Sequence, residues 1–362
     1  MTDASGSITV RQARRDDISA ILAWANAPAF LAATRAVRFS EAQLTDARIS
    51  VQTMIDHEEC LIAVHDNIRI AAIVRSSNTV DDNNVCPVWY VPRLQFDWVS
   101  RMNEVLNEAK KVTLSNWKSG YLLPEAAPLV SESIHSLGEE AVKFQAAGRR
   151  VLVLGPAERN RIPIAALRGN GYKVNLGSHH DDVYTNSPYD LIVCNGYHLR
   201  IPQSICDQFS GKIINIHVGC LPWGRGIGPL LFGPLLNYPL GTSIHLIDTG
   251  LDTGDIILES RMDFQPDDTL RSIYPRVLEA ANQLFVRFVD QLVSGCATRV
   301  PQKQVNPRAF ARTRTEFETV LEVLPNGYDT QFRDIAVLAT AMKGIGAFRN
   351  HLAAGAGQNV NQ

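Results

Sequence analysis

Three mainly apolar runs, each of strand length, occupy the middle of this 362-residue chain. They are Arg150–Leu154, Asp190–Cys194 and Lys212–His217, and helical patterns lie between them. Fully apolar strands are typical of parallel sheets, because helices cover both faces of such sheets. The alternation therefore predicts an α/β fold, with a Rossmann-like parallel sheet over residues 149–297.

The residues before this sheet show short alternating strands and amphipathic helices instead. Ile8–Arg11 alternates between apolar and polar side chains, as a strand with one buried face does. Cys60–Val64 and Ile68–Val74 are apolar runs on either side of a short polar turn, which predicts a hairpin. Asp97–Lys111 carries apolar residues at helical spacing. We therefore expect a smaller α+β domain over residues 1–125.

Two further segments complete the predicted organisation. Residues 126–148 are expected to be a helical connector, with a helix from Ser131 to Ala147 that leads into the parallel sheet. Residues 298–362 are expected to form a short helical C-terminal extension, with a helix over Glu316–Leu324 and another that ends near Lys343. The last residues of this extension should be frayed.

Composition places the chain among ordinary globular proteins and excludes several kinds of partner. The net charge of −2 lacks the basic excess that is typical of nucleic-acid binding. The longest apolar run, Gly228–Leu236, is far shorter than a membrane span, and the N-terminus has no secretory apolar region. The six cysteines have no metal-binding spacing. We expect a cytoplasmic, disulfide-free protein that binds neither nucleic acid, membrane nor metal.

Two polar side chains lie at the end of the last of these apolar runs. Asn215 and His217 are two residues apart, so they project from the same face of the predicted strand. Open α/β sheets bind ligands at the carboxyl ends of their strands, where these residues lie. The next segment, Val218–Gly228, is rich in glycine, which lets a ligand approach the backbone closely. A helix that begins near Pro229 would direct its N-terminal amides into the same crevice.

A carboxylate follows in a tight double turn. Thr249-Gly250 and Thr253-Gly254 are two Thr-Gly pairs, and Asp252 lies between them. An amide, an imidazole and a carboxylate that converge on one crevice suit acyl transfer to an amine. The amide of Asn215 and a protonated His217 can stabilise the tetrahedral oxyanion. The carboxylate can relay protons through water between the attacking amine and the leaving group.

Four spaced elements of this region resemble the folate-dependent formyltransferases: Asn215-x-His217, Leu221-Pro222, Gly224-Arg225-Gly226 and Gly250–Gly254. That family includes methionyl-tRNA formyltransferase, glycinamide ribonucleotide formyltransferase and the sugar N-formyltransferases. The resemblance covers Arg149–Gly295. It implies a Rossmann-like fold, N10-formyltetrahydrofolate as the co-substrate, and Asn215, His217 and Asp252 as the catalytic residues.

The same resemblance implies two groups of ligand contacts. The pterin pocket of the folate would be lined by Tyr197, Leu199, Ile201, Asp248, Thr249 and Gly250. The loop that contacts the acceptor would include Trp223, Arg225 and Gly226. Val218-Gly219 stands where many relatives have a Pro-Ser pair. This departure from the family pattern affects the predicted acceptor contacts more than the predicted triad.

The first domain resembles the beginning of the GNAT-type N-acetyltransferases. Arg11–Ile18 and Leu22–Asn26 are similar to the first strand and helix of that fold, and the predicted hairpin fits its central strands. That family cradles the acetyl-CoA pyrophosphate in a glycine-rich loop, whereas Val91–Ser100 contains no glycine. The resemblance therefore implies a degenerate GNAT-like domain with a structural or substrate-presenting role.

Several other polar residues have simpler explanations. His245 lies in the middle of a predicted strand, where we expect it to be structural or to support the site from behind. His179–Asp182 is a polar loop, which we expect to be solvated and not to bind metal. Gly155 is not part of a GxGxxG motif, so no NAD is expected. Asp248 and Asp255 flank Asp252 and could replace it, but the motif register favours Asp252 and leaves them to cap turns.

The sequence thus predicts an N-formyltransferase that acts on a primary amine of a small molecule. By resemblance, a nucleotide-linked amino sugar is the expected acceptor. A tRNA acceptor is disfavoured, because the extension is not a basic domain and the net charge is slightly negative. The alternatives are a formyltetrahydrofolate hydrolase with the same triad, and a non-catalytic binding protein. A homodimer is compatible with the sequence.

Overall fold

The computed structural model describes residues 7–75, 88–94, 104–105, 108–109, 142–143, 149–184, 189–302 and 311–356. The chain divides into two compact units. The terminal unit comprises Met1–Pro128 and Thr315–Gln362, and the central unit comprises Leu129–Arg314. The segment 298–362, predicted as one extension, is therefore divided between the units. The reason is that its last helix packs against a strand and a helix of the terminal unit.

Both units contain strands and helices. In chain order they are β1 (Ile8–Gln12), α1 (Ile18–Ala25), α2 (Pro28–Thr34), α3 (Glu41–Asp56), β2 (Cys60–His65), β3 (Ile68–Arg75), β4 (Val88–Pro92), β5 (Val142–Lys143), β6 (Arg150–Leu154), α4 (Arg161–Gly169), β7 (Lys173–Gly177), β8 (Leu191–Asn195), α5 (Gln203–Gln208), β9 (Ile213–His217), α6 (Pro229–Leu236), β10 (Gly241–Leu246), β11 (Ile256–Arg261), α7 (Leu270–Ser294), β12 (Thr298–Arg299), α8 (Arg314–Leu321) and α9 (Phe332–Ala356).

The terminal unit is built on a four-stranded antiparallel sheet in the order β1-β2-β3-β4. The predicted hairpin is confirmed: β2 and β3 pair on either side of Asp66 and Asn67, which both have positive φ. Asp and Asn tolerate this conformation better than other non-glycine residues, so the turn suits its sequence. Helices α1, α3 and α9 pack together beside this sheet, and Ser40 caps α3 by accepting a hydrogen bond from the Gln43 amide.

The central unit contains a six-stranded sheet in the order β11-β10-β9-β8-β6-β7. Strands β7, β6, β8 and β9 are parallel, as the apolar runs predicted. Strands β10 and β11 are antiparallel to their neighbours, so the sheet is mixed and not parallel throughout. The antiparallel pairing of β10 with β9 places His245 directly opposite Asn215.

Apolar layers cover both faces of this sheet. Alternate residues such as Val151 and Val153 face one layer, where the long helix α7 contributes Phe285 and Phe288. Leu152 and Leu154 face the other layer, which includes Ile205 of α5. This division follows from the two-residue period of a strand, and it leaves the carboxyl ends of the parallel strands to carry polar groups.

The connector differs from its prediction where the structure describes it. Val142 and Lys143 form β5, which pairs with β12, so the helix predicted from Ser131 to Ala147 is wrong at these two residues. Pairing with a distant strand has overridden the local helical pattern. The other residues of 126–148 lie outside the described ranges, as do most of Asp97–Lys111, of which 104–105 and 108–109 are helical. Among the described helices, none has both the length and the apolar character that a membrane crossing needs.

Candidate active site

Strands β9 and β10 bring three polar side chains to the centre of the mixed sheet. Asn215 and His217 project from β9, and His245 lies opposite Asn215 on β10. His217 and His245 are 8% and 1% exposed, and their rings meet edge to face with centroids 5.9 Å apart. Buried imidazoles need hydrogen-bond partners, so the contacts of each ring define how it can act.

The amide of Asn215 is held by His245. Nδ2 of Asn215 lies 3.2 Å from Nε2 of His245, and Nδ1 of His245 lies 2.7 Å from the Leu246 carbonyl. A carbonyl accepts hydrogen bonds, so Nδ1 of His245 donates to Leu246, and in this tautomer Nε2 accepts a hydrogen bond from the Asn215 amide. The Asn215 amide therefore keeps its second N–H free for a further acceptor.

The imidazole of His217 is fixed on its other side by the glycine-rich loop. Nε2 of His217 lies 2.6 Å from the Gly224 carbonyl, so this nitrogen donates to the loop. Nδ1 lies 3.7 Å from Oδ2 of Asp252, which is too far for a direct hydrogen bond. A Cβ atom on Gly219 would lie only 2.7 Å from Nε2 of His217, so glycine at this position allows the contact. Nδ1 of His217 thus lies near a carboxylate without a direct hydrogen bond to it.

Asp252, the third residue of the predicted triad, lies beside both imidazoles. Its Oδ1 lies 3.5 Å from Nε2 of His245, and its Oδ2 accepts a hydrogen bond of 2.9 Å from the Gly226 amide. Asp252 has a positive φ of 53°, an uncommon conformation for a non-glycine residue. A tight turn in which Gly254 lies against the Leu246 carbonyl holds it there, since a Cβ atom at Gly254 would be 2.0 Å from that oxygen.

The surroundings of Asp252 keep its carboxylate ionised. Burial by itself would raise the pKa of Asp252, but the nearby imidazoles of His217 and His245 and the Gly226 amide outweigh it. The pKa of Asp252 therefore lies well below its ordinary value. An ionised carboxylate can orient a water molecule that relays protons, and it can stabilise positive charge on an imidazole beside it.

Gln302 joins the loop of Arg225 to the turn of Asp252, and no sequence pattern predicts it as a site residue. Its Nε2 donates to the carbonyls of Asp252 at 3.0 Å and Gly254 at 2.6 Å, and its Oε1 accepts from Nε of Arg225 at 2.8 Å. The side chain is 2% exposed. The only signal in the sequence is a polar residue after the strand-like segment 298–300, which does not by itself indicate a position beside the site.

The loop residues that the resemblance assigned to the acceptor have different surroundings. Arg225 is half-buried and bonded to Gln302, and burial lowers its pKa. Trp223 lies beneath the guanidinium of Arg261, 5.8 Å from the ring centroid. Gly226 has a positive φ of 80°, and a Cβ atom there would clash with the backbone of Arg312 at 2.2 Å. Gly226 thus shapes the loop and supplies its amide to Asp252.

The two segments assigned to the pterin pocket lie side by side. Arg200 donates a short hydrogen bond to the Thr249 carbonyl, which joins residues 197–201 to the turn at 248–250. Leu199 is half-exposed, and the hydroxyl of Tyr197 lies 3.0 Å from Nδ1 of His180. Ile201 is 7% exposed and packs in the apolar layer below the sheet, so little of its side chain is accessible.

The two carboxylates that could have replaced Asp252 are engaged elsewhere. Asp248 caps its own turn, accepting from the Gly250 amide at 3.0 Å and from the Thr253 hydroxyl at 2.5 Å. Asp255 forms an ion pair with Arg299 at 3.0 Å. Among the described side chains, neither carboxylate contacts His217 or His245, which distinguishes both from Asp252.

A separate polar group occurs in the loop after β7. His179, His180 and Asp181 each offer a ligand atom within 4.8 Å of the others. His179 and Asp181 are largely solvent-accessible, and exposed groups of this kind commonly occur without an ion. The geometry alone therefore assigns no metal to them.

Comparison with known proteins gives a match for much of the central unit. A family model described as formyl transferase matches residues 142–289, which include Asn215, His217 and Asp252. Residues 142–289 belong to the formyl transferase family. The resemblance found in the sequence is confirmed for this formyltransferase domain, whereas the resemblance of the first domain to acetyltransferases stays a prediction.

Curated relatives are similar over parts of their length. The methionyl-tRNA formyltransferase of Koribacter versatilis is 36% identical over 114 residues, which are 31% of this chain and 36% of that protein. The methionyl-tRNA formyltransferase of Herminiimonas arsenicoxydans is 26% identical over 211 residues, which are 54% of this chain and 67% of that protein. The chain thus spans about a third of the first relative and about two thirds of the second.

Among solved structures, the formyltransferase PseJ from Anoxybacillus kamchatkensis has 28% sequence identity and a TM-score of 0.47. The match covers 51% of this chain and 97% of that one. The formyltransferase domain defined by the family match ends at residue 289, within α7. Gln302 therefore lies outside the matched residues, although it is bonded to the turn that carries Asp252.

Proposed function

We propose that this chain transfers a formyl group from N10-formyltetrahydrofolate to a primary amine, with a nucleotide-linked amino sugar as the acceptor. One observation carries the proposal: the carboxylate of Asp252 lies 3.7 Å from the imidazole of His217 and 3.5 Å from that of His245, beside the Asn215 amide. The family match of residues 142–289 supports formyl transfer as the reaction.

Asn215 and His217 are suited to hold the oxygen of the formyl group. Asn215 has an amide N–H that His245 does not use, and Nδ1 of His217 is not bonded directly to Asp252. Both groups can donate to an oxygen that gains negative charge, which is the largest electrostatic contribution in acyl transfer. The two donors are already fixed by His245 and Gly224, so they need not reorganise during the reaction.

Asp252 is suited to move the proton. When the amine attacks, a bond forms between its nitrogen and the formyl carbon, and the bond from that carbon to folate nitrogen N10 breaks. The proton lost by the amine goes to N10, and the ionised carboxylate of Asp252 can pass it on through water. No covalent enzyme intermediate is needed, and the free thiol of Cys194, which lies opposite Asn215 on the neighbouring strand, is a poor nucleophile because burial raises its pKa to about 12.

The residues assigned to folate binding fit an elongated ligand that has a ring at one end. Residues 197–201 and 248–250 adjoin each other through Arg200, and Leu199 and Leu251 are about half-exposed beside them. Exposed apolar side chains next to backbone amides and carbonyls suit a heterocycle with many hydrogen-bonding groups. Tyr197, Leu199 and the turn Asp248–Gly250 are therefore the proposed folate contacts.

A small acceptor is favoured over tRNA on electrostatic grounds. The net charge of −2 gives little attraction for a polyanion, and phosphate contacts supply most of the affinity for nucleic acids. The described residues 311–356 form the helices α8 and α9, which belong to the terminal unit from residue 315 on. For that unit we propose a structural or substrate-presenting role, and its four-stranded antiparallel sheet supports the GNAT-like interpretation.

The substrate proposal is tested with the purified full chain and N10-formyltetrahydrofolate. Release of tetrahydrofolate is followed with no amine, with nucleotide-linked amino sugars, and with methionyl-tRNA. Release that requires an amino sugar, together with a product heavier by one formyl group, supports the proposal. Release without any amine would identify a hydrolase, and release that requires only methionyl-tRNA would replace the proposed acceptor.

A further inference from the structure

A cavity in the terminal unit lies apart from the residues described so far. It has a volume of about 1000 Å³ and is lined by residues of α1, α3 and β3 and by the loops beside them. Leu22, Trp24 and Ala27 provide an apolar part of its wall. This volume is at the upper end of the range for small-molecule sites, so a ligand of nucleotide size would fit.

The charges that line this cavity have one sign. Arg38, Arg48, Arg69 and Arg93 all contribute to its lining, and none of the described lining residues is an aspartate or a glutamate. The whole chain has 35 lysines and arginines against 37 acidic residues. The purely positive charge of the cavity lining therefore differs from the nearly balanced charge of the whole chain. The four arginines come from separate parts of the chain and meet only because the unit folds.

One of the four arginines already has acidic partners. Arg69 is bonded to Asp17 and lies 2.7 Å from Asp16, so its charge is largely balanced. Among the described residues, no carboxylate forms an ion pair with Arg38, Arg48 or Arg93. Arg93 is held in place from its backbone, since its amide donates to the Ile70 carbonyl at 2.8 Å. Like charges around a cavity repel each other, and a bound anion removes that cost.

We propose that this cavity binds a phosphorylated small molecule of nucleotide type. Planar guanidinium groups bind phosphate oxygens through paired hydrogen bonds, and three arginines without carboxylate partners match a diphosphate. The apolar wall with Trp24 would cover the base or another ring of the ligand. The site belongs to the terminal unit and does not depend on the formyl-transfer proposal.

The experiment is calorimetric titration of the full chain with ADP, pyrophosphate and adenosine. ADP and pyrophosphate should bind, adenosine should bind at least about tenfold more weakly, and added salt should weaken the ADP affinity. The double variant Arg38→Gln, Arg48→Gln should bind ADP at least about tenfold more weakly than the natural chain. Both of these side chains are exposed, so their replacement should leave the fold intact.

A matched double variant, Arg14→Gln, Arg15→Gln, removes the same charge from the same unit. Arg14 and Arg15 are exposed and do not line the cavity. This control should keep the ADP affinity of the natural chain within about twofold. Equal loss in both double variants would show a general charge effect and overturn the proposal. Failure of ADP and pyrophosphate to bind at roughly millimolar concentration, or unchanged binding in the Arg38, Arg48 variant, would overturn it as well.

Discussion

Asn215 and His245 face each other across β9 and β10, with Nδ2 of the amide 3.2 Å from Nε2 of the ring. His245 cannot turn freely, because its Nδ1 is bonded to the Leu246 carbonyl at 2.7 Å. The same Nε2 lies 3.5 Å from Asp252. We therefore infer that His245 is a positioning residue, which orients the Asn215 amide that is proposed to donate to the oxyanion.

Replacement of His245 should lower the formyl-transfer rate more than substrate binding. In His245→Ala, Asn215 loses its partner, so kcat should fall about 10- to 100-fold while KM for the folate changes little. His245→Gln can restore an acceptor near the Nε2 position and should recover more activity than His245→Asn. Steady-state kinetics of the three variants test this, and His57→Ala, an exposed histidine of the terminal unit, is the control. Equal activity of all three variants and the natural chain would exclude the positioning role.

Gln302 provides a second test of the network around Asp252. Gln302→Leu removes a donor from two backbone carbonyls and an acceptor from Arg225, so the free energy of unfolding should fall by roughly 1–3 kcal/mol. Gln302→Leu should also lower kcat, because the turn that carries Asp252 loses its support. Gln302→Glu keeps the acceptor but places negative charge against those carbonyls, so it should lower kcat at least as much as Gln302→Leu does. Thermal unfolding and kinetics measure both effects. The exposed Gln283→Ala on α7 should leave both unchanged; a Gln302→Leu protein with natural kcat would contradict the network.

Gly219 should be intolerant of a single methyl group. In Gly219→Ala the new Cβ atom would lie 2.7 Å from Nε2 of His217 and 2.7 Å from the Gly224 carbonyl, so the bond between those two groups must break or shift. We expect kcat to fall about 10- to 100-fold, because the imidazole loses its fixed position. Gly169→Ala, where a Cβ atom meets nothing within 4 Å, is the matched control. Similar rates for both variants would show that the ring does not depend on Gly219.

How far the sequence predicts the site depends on the range of each interaction. Local spacing indicates Asn215, His217 and Asp252. Residues i and i+2 of a strand project from the same face, and a tight turn requires glycines at set positions around Asp252. The apolar runs likewise predicted β6, β8 and β9. His245 was predicted to be structural or supporting, yet its contact with Asn215 could not be foreseen, because it depends on the antiparallel register of β10 against β9.

Longer-range relationships were beyond sequence patterns. Gln302 reaches Asp252 across 50 residues, and no local period indicates that contact. The helical connector was wrong at Val142 and Lys143, because their partner strand lies at Thr298 and Arg299. The division of the last segment between two units has the same cause, since the packing of α9 depends on surfaces formed near the N-terminus.

The stability of the terminal unit should depend on Asp17 in acid. Burial would raise the pKa of Asp17, but hydrogen bonds from Arg11, Arg14 and Arg69 outweigh it and lower the pKa to about 2. A carboxyl whose pKa is depressed in the folded state stabilises the fold above its ordinary pKa, and this contribution is lost as the pH falls toward 2. At pH 7, Asp17→Asn should therefore unfold at a lower temperature than the natural chain. Its free energy of unfolding should be lower by about 3 kcal/mol.

The difference between Asp17→Asn and the natural chain should shrink as the pH falls from about 4 to about 2. Thermal unfolding at several pH values measures it. Asp56→Asn is the control, because that carboxylate is half-exposed and lies 3.6 Å from an exposed Arg15. A stability difference for Asp17→Asn that stays constant over this pH range would show that its charge is not the stabilising feature.

The most direct test of the account is the rate of tetrahydrofolate release in the presence of the amine acceptor for His217→Asn and Asp252→Asn. Both variants should remain folded and lose about 10²- to 10³-fold in rate, because each removes a group that acts on the reacting atoms. Asp290→Asn, an exposed carboxylate of α7, should keep the natural rate. A folded His217→Asn or Asp252→Asn protein that releases tetrahydrofolate at the natural rate would contradict the proposed mechanism.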